Sequence, residues 1–547
     1  MRTGTPSHTR TEEKNDMDNG RRHRADDRPT DTRPARRRVL GAGLALAGGA
    51  ALAACGRGGD TTSDGSAPDG GKPATGGTLR YGTVAAGGGT AVTDPHGTLL
   101  NQSDWIRMAA LYDVLVAPAG RGGVAPRLAL SWEAEKNATR WRFRLRDDAR
   151  FTDGRAVRAA DVLHSLRRMA DQAVQNGGRL GTVDIKRCRA EDDHTLLIAT
   201  GEPDAELPRT LSGVVFVVPD GADDFGRPVG SGPFRLKALD GQTAALTRNE
   251  RWWGARPHLD GLEIRGFADP QALASAVTSG AVDVASDVAP ATAKSAAEGG
   301  GLRVLRRRAA NGYPLLMRLD RAPFDRPEVR RAVKLAVDRQ ALVDSVFLGY
   351  GTPGNDAPCA DDPSYPKDLA PPARDLEQAR ELLRKAGHPG GLDLELHTTT
   401  AYPAMATAAS LLERQLREAG IRVTVRQHPP ERYWSEVYLR EPLCTGVYAG
   451  VGFPTWTRQT ALSASAYNET GWKNRSFDRD FAAAMADTDT GRRTRAMAEL
   501  QRRIASDGGL LAWGAGDGLD VADSRVGGLP DGTGYARLLL DRTWLRR

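Results

Sequence analysis

Hydrophobic and polar positions alternate in several short stretches of the chain. Thr78-Leu79-Arg80-Tyr81-Gly82 has the two-residue period of a strand. Trp141-Arg142-Phe143-Arg144-Leu145-Arg146 sets three large apolar side chains on one face and arginines on the other, so one side is packed and one is wet. Elsewhere the period is helical. Val162, Leu163, Leu166, Met169 and Ala173 recur behind a polar start at Asp161. Asp325 before Pro327 and Glu328 predicts a helix start, with Val329, Ala332, Val333 and Ala336 as its buried stripe. Asp375 opens a helix over 376–386 that stops at Gly387, and Leu392, Leu394 and Leu396 follow as a strand. A second helix through Leu411, Leu412 and Leu416 stops at Gly420 and gives way to Ile421, Val423 and Val425. Strand, helix and strand with glycine stops predict parallel βαβ units, and the body of the chain reads as α/β.

Before residue 78 the pattern changes. Arg36-Arg37-Arg38 lead into an uncharged run from Val39 to Ala54, too short and too rich in Gly and Ala for a bilayer span, which needs about 20 apolar residues. A basic region followed by a short apolar one is a secretory signal. It closes on Leu52-Ala53-Ala54-Cys55-Gly56, which resembles the bacterial lipobox, where the cysteine thiol is diacylated and the chain is cut just before it. Arg36-Arg37 with Val39-Leu40 is also similar to a twin-arginine signal, and equally to a generic basic leader; Met17 is an alternative start. Gly56 to Gly77 is rich in Gly, Ser, Thr, Asp and Pro and reads as a flexible tether, on the order of 25 Å as a coil. The expected order is a signal peptide over 1–54, a tether over 55–77, and a body held by lipid on the outer face of the cell membrane.

At 547 residues the chain needs two or three cores. The net charge of +7 is concentrated at the N-terminus, where residues 1–54 carry 11 Lys/Arg against 7 Asp/Glu. Beyond it the basic residues are interleaved with acids, and no stripe remains that could track phosphates, so nucleic acid is not an expected partner. The cysteines at 55, 188, 359 and 444 form no CxxC pair; Cys359 and Cys444 are open to a disulfide or to buried free thiols. The H-E-x-x-H, G-x-S-x-G and P-loop patterns are absent. Asp283 and Asp287 would share a helix face, but Ala281–Ala285 reads as a strand, so paired-carboxylate catalysis is not expected. His194, His258, His388, His397 and His428 are scattered, which argues against a metal site. The expectation is a binding protein, not an enzyme, without a cofactor.

Several ordered segments then carry a resemblance. Gly76-Gly77-Thr78-Leu79-Arg80 and Asp94-Pro95-His96 come first, followed by Leu111-Tyr112-Asp113-Val114-Leu115-Val116 as an early helix. Ser131-Trp132, Trp141-Arg142-Phe143, Phe151-Thr152-Asp153-Gly154 and Ala160-Asp161-Val162 follow. Then come Val229-Gly230-Ser231-Gly232-Pro233-Phe234, Arg248-Asn249-Glu250-Arg251-Trp252-Trp253-Gly254, and Pro323-Phe324-Asp325 through Ala336-Val337-Asp338-Arg339. Together, from Gly76 onward, the chain resembles the extracytoplasmic solute-binding proteins of family 5, the peptide/nickel-type subunits of ABC importers. Read physically, these motifs are turns and packing tryptophans, so they mark the scaffold rather than the ligand.

The resemblance implies a two-lobe α/β fold of the periplasmic-binding-protein type (class II, cluster C) with an extra subdomain in lobe one. Lobe one would span 78–304, lobe two 305–510, and the return to lobe one 511–547. A monomer would enclose a small solute, peptide-like by default, between the lobes and dock on permease subunits served by a separate ATPase. The alternative is a receptor of the same fold that senses a non-peptide solute. Candidate ligand contacts are Trp434, Tyr448, Trp456, Arg458 and Tyr433 from lobe two, with Phe453, Tyr467, Asn468 and Trp472 nearby, and Asp94 and His96 from lobe one. Rings with one cation suit a planar, sugar-like or anionic solute, or a peptide held by its backbone or carboxylate. The acid expected to meet a peptide's amine falls on Gly450 or Val451, so recognition through an N-terminus is not expected.

Overall fold

The computed structural model describes residues 72–85, 91–99, 101–119, 122–171, 177–450, 452–530, 532 and 537–546. The signal, Cys55 and most of the tether lie outside the described residues. The alternating segments form strands as their period requires. Arg140–Leu145 buries Trp141, Phe143 and Leu145 and turns its arginines outward. Thr78–Val84 forms the centre of a nine-stranded sheet, parallel to Gly261–Phe267 on one side and to Val284–Ala285 on the other.

The helices follow their sequence signals closely. Asp375 caps Leu376–Lys385 by accepting from the Gln378 N–H at 2.8 Å, and Gly387 takes the left-handed φ that ends the run. Pro327–Ala336 starts on its proline and buries Val329, Ala332, Val333 and Ala336 completely. Each buried valine there contributes roughly 1.5–3 kcal/mol. Leu392–Thr399 and Ile421–His428, joined by the helix Pro403–Glu418, pair in parallel over their whole length, as a βαβ unit should.

The early helix differs from expectation. It occupies Gln102–Leu111, and Tyr112 is already extended; Asp113 is turned to Arg127 at 2.8 Å and to the indole N–H groups of Trp252 and Trp253. The Val229–Phe234 turn seats against the end of that helix. A Cβ on Gly230 would stand 2.0 Å from the Leu111 carbonyl, so only glycine permits the approach.

The described residues form six bodies of core, of which three are large. One lies against the nine-stranded sheet, a second fills the four-stranded sheet Ala129–Glu135, Arg140–Leu145, Thr195–Ala199 and Arg189–Ala190, and a third surrounds the five-stranded sheet that includes Leu315–Met317 and Leu510–Leu511. The chain passes repeatedly between the large sheet and the five-stranded one, and two of these passages carry the long paired strands. The outgoing strand Leu302–Gly312 continues into Leu315–Met317, a little beyond the boundary expected at 305, and Leu510–Leu511 leads back into the return strand Gly514–Asp523. These two crossing strands pair with each other, and a bulge interrupts the outgoing one between Arg307 and Asn311, with Ala309 at a φ of 55°. Asp517 of the return strand holds the bulge, accepting from the Ala309 N–H at 3.0 Å and from Arg306 at 2.7 Å.

Cys188, Cys359 and Cys444 are free thiols, so the Cys359–Cys444 bond is not formed. Asp283 and Asp287 do not face each other's chemistry. Asp283 pairs with Arg80, and Asp287 with Arg307 and Arg537.

Candidate functional site

The segment Glu202–Arg209 follows the last long strand of the four-stranded subdomain and reaches the half built on the five-stranded sheet. Five contacts fasten it there. The Ala205 N–H donates to the Met485 carbonyl at 2.8 Å, and Arg209 donates to Asp362 at 2.6 Å. Arg493 donates to Glu206, and Arg458 meets Glu202 at 3.3 Å and Asp204 at 3.2 Å. Arg209 passes so close to the backbone that a Cβ on Gly452 would sit 2.9 Å from its guanidinium. Burial opposes the charge of Asp362, but Arg209, the Ser364 hydroxyl and N–H, and the Phe453 N–H together hold its carboxyl below the usual range.

Beside this fastening lies a cavity of about 40 Å³. Its walls are the bulge at Ala309 and Ala310, Tyr313, the loop from Gly354 to Tyr365, Tyr448 and Gly450, and the return strand at Ala512 to Ala515. Asp361, neighbour to the fastened Asp362, is on the wall, and burial together with the Asp362 charge pushes its carboxyl up to about 7. Behind Tyr448 stands Glu469, which accepts from the hydroxyls of both Tyr448 and Tyr438. It is 4% exposed, and burial raises it to about 7 despite those two hydrogen bonds.

The candidate residues divide accordingly. Tyr448 borders the cavity; Trp456 packs edge-on against it at 5.7 Å and is itself stacked by Phe453. Tyr433 is fully buried with its hydroxyl on the Thr445 carbonyl, and Trp434 lies against it and Tyr438 in a separate cluster. Neither borders the cavity. Arg458 is engaged by Glu202 and Asp204, which makes it a contact between halves rather than a free cation. Asn468 is used on the Leu462 and Trp472 carbonyls, Trp472 packs on Phe477, and Tyr467 is exposed.

Asp94 and His96 are taken up inside lobe one. Asp94 accepts from the His96 N–H and pairs with Arg168 through both oxygens at 3.0 Å. His96 is 1% exposed with Nε2 on the Phe216 carbonyl, and burial pushes its ring down to about 4. Of the two positions where an acid was looked for, Gly450 borders the cavity and Val451 is outside the described residues. Asp361 also lines that space; its Ala-Asp-Asp-Pro setting reads as a loop and gave no signal.

The histidines are less scattered than the chain suggested. His397 and His428 stack 3.0 Å apart through Nδ1 and Nε2, because their parallel strands bring them to one sheet face. Among the described residues, however, no group of three or more His, Cys, Asp or Glu is placed to hold a metal. Nor is any described helix long and apolar enough to cross a membrane.

Comparison with known proteins agrees with this architecture. The chain is 26% identical over 406 residues to the glutathione-binding protein GsiB of Pectobacterium atrosepticum, covering 70% of this chain and 78% of that one. It is 29% identical over 393 residues to the probable di/tripeptide-binding protein 5 of Pseudomonas aeruginosa, covering 65% and 73%. Its fold superposes with a TM-score of 0.70 on the ABC transporter-associated periplasmic binding protein DppA of Helicobacter pylori, solved with the peptide STSA, at 20% identity over 87% of this chain and 99% of that one. The model of the bacterial extracellular solute-binding proteins, family 5 (middle), matches residues 123–485. A two-lobed α/β body with its halves fastened beside a small cavity thus has its family: the chain belongs to the bacterial extracellular solute-binding proteins of family 5, the substrate-binding components of ABC importers.

Proposed function

We propose that this protein captures a small peptide-like solute between its halves, without chemically altering it, and presents the closed form to a permease. A separate subunit would hydrolyse ATP. A diacylated Cys55 would hold the body at the outer face of the membrane through the tether. The observation that carries the reading is the set of arginine–carboxylate contacts that fasten Glu202–Arg209 to the opposite half directly beside a cavity. Of these pairs only Arg458–Glu202 has a well-exposed partner, while Asp362 and Asp204 are buried, so the fastening holds the closed form firmly and opening must rehydrate those carboxylates. The relatives named for glutathione and for di- and tripeptides support the peptide-like class.

The test is direct. The protein purified from its host, denatured and examined by mass spectrometry, should release one solute class in near-equimolar amount, and small-angle scattering should show the stripped protein contract when that solute is returned. A stripped protein that never contracts defeats the proposal. For the anchor, labelled palmitate should enter the wild type and not Cys55→Ala.

A further inference from the structure

We infer that His397 and His428 form an acid-sensitive latch on the segment 429–438, which carries Tyr433 and Trp434. Neither histidine borders the cavity, and the inference does not depend on which solute is captured.

His397 lies near the end of Leu392–Thr399, and His428 ends Ile421–His428. The register sets Thr399 opposite His428, so the two rings share one sheet face and meet diagonally. Nδ1 of His397 is 3.0 Å from Nε2 of His428, and the ring planes are within 10° of parallel. Such a contact holds one proton between the nitrogens: one of them donates and the other offers a lone pair. The surroundings decide which. Nε2 of His397 faces Glu441 at 3.7 Å and Glu395 at 3.8 Å, and Glu395 is shared with Arg426 at 2.6 Å. A proton added to His397 is therefore taken at Nε2, beside two acids, and the Nδ1–H bond to His428 survives. The next proton goes to the accepting nitrogen of His428. That ends the bond and sets two imidazolium rings against each other.

The other groups on this face supply no counter-charge. Cys444, the partner of His397 on the adjoining strand, is a thiol pushed up to about 12 by burial, and Tyr433 presents its ring to His428 at 6.4 Å. Burial, against the pull of Glu441, holds the His397 ring below the usual histidine value. The latch is thus fully made above about pH 6.5 and is lost as the pH falls. What it ties down follows directly in the chain. Pro429 and Pro430 bring no N–H to this junction, so the backbone offers no donor there and the imidazole bond supplies a tie. The Pro429 carbonyl accepts from the Tyr433 N–H at 2.9 Å, and Tyr433 and Trp434 pack in one cluster with Tyr438, Tyr402 and Tyr313. Tyr313 borders the cavity, so the latch steadies a cluster that reaches the cavity wall.

Amide exchange of the stripped protein is followed by mass spectrometry at about pH 7.5 and about pH 5, either side of the histidine range, with each rate divided by its intrinsic value at that pH. Wild type is compared with His428→Gln, whose amide still meets Nδ1 of His397 but cannot gain a charge. We expect residues 431–438 of the wild type to exchange at least tenfold faster at the lower pH, residues 140–145 to be unchanged, and His428→Gln to show no such acceleration. No acceleration in the wild type, an equal one in His428→Gln, or one shared by 140–145 overturns the latch. A second reading needs no variant. Nuclear magnetic resonance of protein carrying nitrogen-labelled histidine should show a coupling between two imidazole nitrogens at the higher pH that vanishes at the lower. Its absence at the higher pH, or its persistence at the lower, overturns the latch as well.

Discussion

Glu469 is a nearly solvent-free carboxyl to which two tyrosine hydroxyls donate, and it is raised from an ordinary 4.5 to about 7. The folded protein therefore keeps a proton that the unfolded chain has released over that interval. Its contribution to stability is full below about pH 4.5 and is lost as the pH rises through 7, to the extent of about 3 kcal/mol. Asp361, raised in the same sense, adds to the slope. Denaturant titrations of the unliganded protein from pH 5 to pH 8 should show falling stability, and Glu469→Gln should flatten the fall. At this scale the sequence was only partly legible. The aromatic run includes Tyr448, which borders the cavity, but nothing in Ala360-Asp361-Asp362-Pro363 says which aspartate is neutralised by an arginine. Asp94 and His96 were expected at the cleft from their place at the start of lobe one, with an Asp-Pro turn as the alternative; His96 is buried with its ring on the Phe216 carbonyl.

Individual elements were read more securely, since their causes are local. Asp375 caps, Gly387 and Gly420 terminate, and the strands they separate pair in parallel. The contacts between halves were invisible for the opposite reason. Arg209 and Asp362 are 153 residues apart, Arg493 and Glu206 are 287 apart, and no periodicity relates them. Their weights differ. Asp362 has a side chain only 1% exposed, so Arg209→Ala leaves a buried charge unpaired, a loss of about 3–5 kcal/mol in the closed form. Solute should dissociate at least a hundredfold faster from Arg209→Ala in stopped-flow displacement, and scattering should find it open. Arg458→Ala loses a pair whose Glu202 is well exposed, although Asp204 is not, and dissociation should quicken by about tenfold.

For the molecule as a whole, the two-lobe architecture followed from the family segments, while the bulge at 307–311 did not, because it lies in a strand whose residues read as ordinary β. Asp517 accepts from the displaced Ala309 N–H and also grips Arg306. Removing it as Asp517→Ala should cost about 1–3 kcal/mol. Amide exchange at 306–312 should accelerate by at least tenfold, with residues 140–145 and 195–199 unchanged.

One side of the grip, Glu202–Arg209, is carried by a subdomain with a core of its own, whereas the bulge at 307–311 lies in the strands of the main sheet. Clasp and bulge thus belong to bodies that fold around different hydrophobic centres. A lineage could retune how firmly the jaws hold their cargo by altering the clasp, and leave the ease of their swing untouched.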